Sequence, residues 1–397
     1  MDSLTFWLNE RKSAGNLREL LPIQRLPDGR IRLPGMAESV PPLLDFSSND
    51  YLALTQHQAV IKKSRQFLDL FGAGSGAARL MSGDLEIHHH LEAEVARLKG
   101  KQAALLFGAG YLANTGVIPA LAGRGDVIFS DRFNHASIYD GCLLSGARLI
   151  RFRHNDLNHL EECLKKHRGN FQQALVVVES IYSMDGDRCS LNDLTGLKDS
   201  YSFILMVDEA HATGIFGKCG GGVIEEDGVA DQVDISMGTF GKALGSYGSY
   251  IAASSEMVRY LINRARTFIY STALPPAVIG ASLAAISIVR EDRKMRNSLH
   301  KKAAFFKQIL QQAGLNQDFG PSQIVPLIVH DSKVALELAG ELRKKGVFAT
   351  PVRPPTVPEG TARLRFSVTL HHSDQIIDST ANVIAKAYNR LVHGNNS

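Results

Sequence analysis

The sequence predicts an α/β protein: a mostly parallel sheet covered by helices, with a smaller C-terminal α+β domain. Two observations carry this. From about residue 100 to 255, short apolar runs alternate with segments of helical pattern, and the runs are continuously apolar. Strands buried on both faces read this way, and strand–helix alternation marks a parallel sheet. After the apolar stretch ending near residue 290 the texture changes to separate strand-like runs closed by one long helix.

Taken in order, a helix is expected over roughly Leu4 to Leu20, followed by a turn-rich arm containing "LPDGR" and "LPG". The strands are "AALLF" (103–107), "DVIFS" (126–130), "ARLIRF" (147–152), "ALVVVES" (174–180), "FILMVDE" (203–209) and "DISMGTF" (234–240). Segments such as "NDLNHLEECLKKH" supply helices between them. Ser271 to Val289 carries no charge, but Pro275, Pro276 and its many small residues fit a buried helix starting near Pro276 better than a membrane span. "QIVPLIV", "VFATPV", "ARLRFSV" and the helix "SDQIIDSTANVIAKAYNRLV" form the smaller domain. The expected division is an N-terminal helix and arm (1–50), a large α/β domain (51–290) and a small C-terminal domain (291–397).

Composition narrows the function. The chain has 397 residues, 44% hydrophobic and 21% charged, with 44 basic against 40 acidic side chains. A net charge of +4 argues for neither nucleic acid nor an anionic membrane as partner. Four widely spaced cysteines suit a reducing compartment rather than a disulfide framework or a zinc site. The N-terminal segment has no secretory pattern, so a cytoplasmic protein is expected.

Ligands of open α/β sheets sit beyond the carboxyl ends of the strands, and the chemistry-bearing residues fall there. "TFGKALG" sets Lys242 among small, uncharged neighbours, which leave room for a bound cofactor; a desolvated lysine amine attacks carbonyls and holds them as Schiff bases. "MVDEAHATG" ends a strand with Asp208, an acid able to hold a heteroaromatic nitrogen protonated, and places His211 three residues on. "DEAH" is also a helicase box, but no G-K pair in the chain is followed by Ser or Thr, so the phosphate loop that reading needs is missing. "LLFGAGYLANTG" offers a helix N-terminus for a phosphate. Gly108, Gly110, Ala113 and Asp131 also match a dinucleotide fingerprint, but a nicotinamide oxidoreductase leaves Lys242, His211 and Asp208 without work. His135 in "SDRFNHASIYDG" lies just past a strand end, where an imidazole can stack on a flat cofactor. Ser183 in "SIYSMDGD" offers a hydroxyl. His88–His90 lack the partners of a metal site and read as a helix face, so no metal is expected. In "RPPTVPEGTARLRFSV", Arg363 and Arg365 share a strand face, suited to a carboxylate or else belonging to a solvated edge strand.

A lysine, an acid for a ring nitrogen and a phosphate-binding helix end are the parts of a pyridoxal phosphate site. In these motifs, and in "LDFSSNDYLAL" and "GAGSGAARLMSG", the chain resembles the α-oxoamine synthases, of the fold-type I pyridoxal phosphate enzymes, over nearly its whole length. The resemblance implies that Lys242 is the Schiff-base lysine, that Asp208 pairs with the pyridine nitrogen and His211 with the ring oxygen, and that His135 stacks on the ring. It implies that the phosphate rests on Gly110, Tyr111 and Thr239, that Ser183 touches the cofactor, and that Ser271 and Thr272 reach it from the neighbouring subunit of an obligate homodimer. Asn49, Arg365, Thr356, Arg353 and Arg18 would hold substrate carboxylates.

"RPPTVPEGTARLR", supported by "SQIVPLIV", points to members that join L-alanine to a pimeloyl thioester, on coenzyme A or on an acyl carrier protein, in biotin synthesis. The implied reaction is a decarboxylative Claisen-type condensation that releases CO2 and the thiol. Sister members use glycine or serine with the same cofactor residues. "GSGAAR" departs from the family's G-S-G-G-S-R, which bears on the acyl substrate.

Overall fold

The computed structural model describes residues 2–392 and 394. They form two compact units. The larger comprises Leu52–Ser183 and Arg188–Asn297; the smaller comprises the residues up to Tyr51, Met184–Asp187 and those from Ser298 onward.

The larger unit is built on a seven-stranded sheet. Across it the strands run Ala103–Phe107, Ser249–Ala253, Ile235–Thr239, Ile204–Asp208, Ala174–Glu179, Val127–Asp131 and Arg148–Phe152. The last five pair in parallel, whereas Ser249–Ala253 is antiparallel to both its neighbours. All six runs read from the sequence are strands, within a residue of the expected bounds. Ser249–Ala253, whose small residues give little strand signal, was not among them. It returns directly from the lysine loop, as only an antiparallel partner can without a helical crossover. Burial follows position: Ala174–Glu179 is buried throughout, whereas Arg148–Phe152 exposes arginines at the sheet edge.

Helices cover the sheet. Gly110–Leu121 and Ala136–Ser145 follow strand ends directly and pack on one another. Pro276–Glu291 begins with proline at its first position, where the missing N–H costs no hydrogen bond. It packs along Gln58–Phe71, and Gly280 permits the close approach: a Cβ there would sit 2.6 Å from the Lys63 carbonyl oxygen. Among the described residues no helix is long and apolar enough to cross a membrane.

The smaller unit carries a three-stranded antiparallel sheet with Ala362–Ser367 between Ile324–His330 and Thr350–Val352. Helices Ser332–Lys344 and Asp374–Val392 accompany it. "VFATPV" divides in two, since Val347–Phe348 pairs instead with Leu44–Asp45. That pairing joins the N-terminal arm to the C-terminal residues, and Phe46, Phe306, Phe366 and His372 stack into its core. The N-terminal helix is shorter than its pattern predicts, Asp2–Ser13, because Gly15 takes a left-handed φ of 68°. Arg18 therefore lies beyond the helix. The solvated edge strand considered for Arg363 and Arg365 is also excluded: their strand is central and both side chains are buried.

Candidate active site

In the larger unit the residues singled out after Phe107, Asp131, Glu179, Asp208 and Thr239 collect at the carboxyl edge of the parallel strands. Lys242 sits in the turn joining Ile235–Thr239 to Ser249–Ala253. The turn is closed by Phe240 N–H to the Gly248 carbonyl, 2.9 Å, and Ser246 N–H to the Phe240 carbonyl, 2.8 Å. Its small residues serve the protein's own backbone: Gly245 has φ 59°, and a Cβ there would lie 2.6 Å from the Thr55 nitrogen. Phe240 and Leu244 are buried as anchors. Lys242 Nζ is thereby held 2.9 Å from His211 Nε2.

Asp208 is the last residue of its strand and is buried. One carboxylate oxygen accepts the Ala210 N–H at 2.9 Å, the other the Asn114 Nδ2–H at 3.0 Å. The adjacent strand ends with Glu179, in register with Asp208. Glu179 accepts the backbone N–H of His135 at 2.5 Å and that of Ser183. Burial, and then the charge of Asp208, push its carboxyl well above the ordinary range. His135 caps the helix Ala136–Ser145. The side chain is exposed, yet desolvation by the protein atoms packed around the ring lowers its proton affinity; Asp208 opposes the shift and Lys242 adds to it.

Gly110 and Tyr111 open a helix of 12 residues, whose first-turn N–H groups have no intrahelical acceptors. The Thr239 hydroxyl donates to the Gly248 carbonyl at 2.8 Å and accepts the Gly241 N–H at 3.1 Å. Ser271 and Thr272 lie in a loop fastened to "GSGAAR". Ala78 bridges Thr272, Ala273 N–H donates to the Ala77 carbonyl at 3.1 Å, and Ser75 Oγ and His88 Nε2 meet the Leu274 carbonyl at 2.7 and 2.9 Å. At the departure from the family motif, Ala77 and Ala78 thus join this loop through backbone atoms. Of the three adjacent histidines, His88 serves that contact and His89 pairs with Asp84 at 2.9 Å.

The smaller unit holds the residues expected to bind carboxylates. Arg365 donates to Asn49 Oδ1 at 3.2 Å, Tyr51 Oη at 3.1 Å and Ser367 Oγ at 2.9 Å. Arg18 donates to Thr356 Oγ1 at 2.7 Å, while Arg353 bonds to the carbonyls of Gly15 and Leu17. Arg363 pairs with Asp185.

Sequence reasoning missed Glu179, Asn114 and Ser137. A signal existed for the first, because "ALVVVE" ends in an acid at the same strand position as "ILMVD". Asn114 and its neighbour Thr115 interrupt a largely apolar helical run.

An amine beside an imidazole, a buried carboxylate on fixed donors and a helix N-terminus at one sheet edge fit pyridoxal phosphate by donor chemistry. The comparisons agree. Residues 41–384 match the family described as aminotransferase class I and II. The chain is 47% identical over 341 residues to 8-amino-7-oxononanoate synthase of Geobacter sulfurreducens, covering 85% of this chain and 87% of that one.

The chain belongs to the α-oxoamine synthases, within the class I and II aminotransferases.

Identity to the 8-amino-7-oxononanoate synthase of Geotalea daltonii is 44% over 386 residues, 97% of each chain. Among solved structures, a variant of serine palmitoyltransferase from S. paucimobilis with bound PLP–myriocin aldimine superposes with a TM-score of 0.89 at 27% identity, covering 98% of both chains. The fold is thus that of the fold-type I pyridoxal phosphate transferases.

Proposed function

We propose that this α-oxoamine synthase is a pyridoxal phosphate-dependent 8-amino-7-oxononanoate synthase. It condenses L-alanine with a pimeloyl thioester and releases CO2 and the free thiol, a step of biotin synthesis. The observation that carries the reading is 44% identity along 97% of the chain to a relative of that name. The proposal includes a cytoplasmic homodimer, with Ser271 and Thr272 serving the partner's site.

Pyridoxal phosphate, when bound, supplies the electron sink that stabilises negative charge at the amino acid Cα. Lys242 and Asp208 would hold it by amine and carboxylate, His211 by a hydrogen bond to its oxygen, and Gly110, Tyr111, Ser183 and Thr239 would complete its seat. Lys242 Nζ, beside His211 Nε2, takes the α-proton of alanine and returns one to the product. Asp208, fixed by Asn114 and Ala210, keeps a negative charge where a ring nitrogen must stay protonated. His135 donates to the oxyanion that forms as the thioester carbonyl is attacked. Arg365, oriented by Asn49, Tyr51 and Ser367, binds a carboxylate, with Arg18, Arg353 and Thr356 as further donors.

The test is thiol release from pimeloyl-CoA and from pimeloyl-acyl carrier protein, each with L-alanine, glycine or L-serine. Release dependent on L-alanine supports the proposal, and the better donor identifies the carrier. Release only with glycine or serine would move the enzyme to a sister activity, and silence with all three would reject a pimeloyl substrate.

A further inference from the structure

We propose that Asn114 and Ser137 are positioning residues that hold His135 in its Nε2–H tautomer and tie its ring to Asp208. The backbone N–H of Ser137 points at His135 Nδ1 from 3.3 Å. A backbone N–H can only donate, so Nδ1 accepts and the neutral ring carries its proton on Nε2. Ser137 Oγ lies 2.8 Å from the same Nδ1. That hydroxyl already accepts a hydrogen from Asn114 Nδ2 at 2.9 Å, which leaves its own hydrogen for the imidazole. Asn114 Nδ2 has two hydrogens, and the second goes to Asp208 Oδ2 at 3.0 Å. The opposite orientation of the amide would set its oxygen against a carboxylate. Donor counting therefore gives one direction throughout: from Asn114 to Asp208, from Asn114 to Ser137, and from Ser137 to His135.

The bland alternative is a helix cap, His135 accepting the Ser137 N–H as the first turn of Ala136–Ser145 requires. It accounts for the backbone bond but not for Asn114, which reaches from another helix and is 1% exposed, as is Ser137. Asn114 Oδ1 has no hydrogen-bond partner despite its burial, an exception among buried amides, so both side-chain bonds of this residue are ones it donates. Protonating His135 at Nδ1 would oppose two donors, in accord with the downward shift that desolvation and Lys242 impose against Asp208 and Asp140. The carboxyl of Glu179 holds the backbone N–H of the same residue. The result is a neutral imidazole whose free edge offers one N–H, the group needed for donation to an oxyanion.

This inference rests on the reading of His135 as a working group, and its test separates the two. Histidine labelled with 15N in the holoenzyme reports the tautomer directly, with the His135 signal identified by its loss in His135→Asn. Wild-type protein should show Nδ1 unprotonated and Nε2 protonated. Ser137→Ala keeps the longer backbone bond but loses the shorter hydroxyl bond. It should therefore shift the tautomer balance part-way toward Nδ1–H, raise the lower pH limit of kcat/KM, and reduce kcat by about 10- to 100-fold, with KM for alanine nearly unchanged. Ser137→Thr should restore all three. A proton on Nδ1 in the wild type, or unmoved tautomer shifts in Ser137→Ala, would overturn the proposal. Absence of thiol release would defeat the functional reading alone, because the tautomer is read without turnover.

Discussion

Lys242 and Glu179 make opposite demands on the same strand-end edge. The amine must be available for proton transfer, whereas the carboxyl is sealed in by two backbone donors. Lys242→Ala removes the only group at that edge proposed to move the α-proton. Turnover should fall by about 10⁴-fold or more, while pyridoxal phosphate added to the variant still binds but lacks the absorbance of a lysine Schiff base; appreciable turnover in that variant would reject the assignment. Glu179→Ala takes the carboxyl acceptor from the N–H groups of His135 and Ser183, at about 1–3 kcal/mol for the buried Ser183 and less for the exposed His135. Glu179→Gln keeps an acceptor and imitates the neutral carboxyl that burial favours, so it should lose far less stability. Urea unfolding of the two variants checks this, and equal losses would contradict it.

At the scale of elements, close approach of two helices depends on one missing side chain. Pro276–Glu291 and Gln58–Phe71 meet where a Cβ on Gly280 would fall 2.6 Å from the Lys63 carbonyl oxygen and 2.8 Å from Phe67 Cγ. The first of these is backbone and cannot rotate away. Gly280→Val should destabilise the protein by about 2 kcal/mol or more through overpacking, with a lower urea midpoint and an unchanged slope. The lysine turn follows the same logic, since Gly245 meets the Thr55 backbone and any side chain there is also strained by its positive φ.

For the whole molecule, folding is linked to pH through a buried histidine. His372 stacks on Phe46 with ring centroids 3.9 Å apart, and its ring nitrogens meet the Thr369 N–H and the Asp45 carbonyl. Burial pushes its pKa down from 6.5 to about 3. The unfolded chain therefore binds a proton that the folded protein refuses, and stability present above about pH 6.5 is lost as pH falls toward 3. Thermal midpoints should decline across this window, and His372→Gln, which does not titrate there, should show a shallower decline. An unchanged slope would remove His372 from the account. Pyridoxal phosphate, binding only the folded state, should raise the midpoint with concentration.

By itself the sequence determined the kinds of element and the strand ends at which the candidate chemistry collects. Both are local properties: a run such as "ALVVV" reports burial on two faces, and the residue that ends it is placed by the same run. Lys242, Asp208, His211 and His135 were legible for that reason. Sheet order, the antiparallel strand Ser249–Ala253 and the partners of polar side chains were decided only by tertiary structure. Asn114 and Asp208 are 94 residues apart, and Arg363 finds Asp185 across 178. Periodicity tells which face a side chain takes, not what awaits it there; an arginine that reads as solvated can be buried in a central strand against an aspartate. The direction of the hydrogen bonds from Asn114 to His135 is of this second kind, since it follows from counting donors between groups that only the fold brings together.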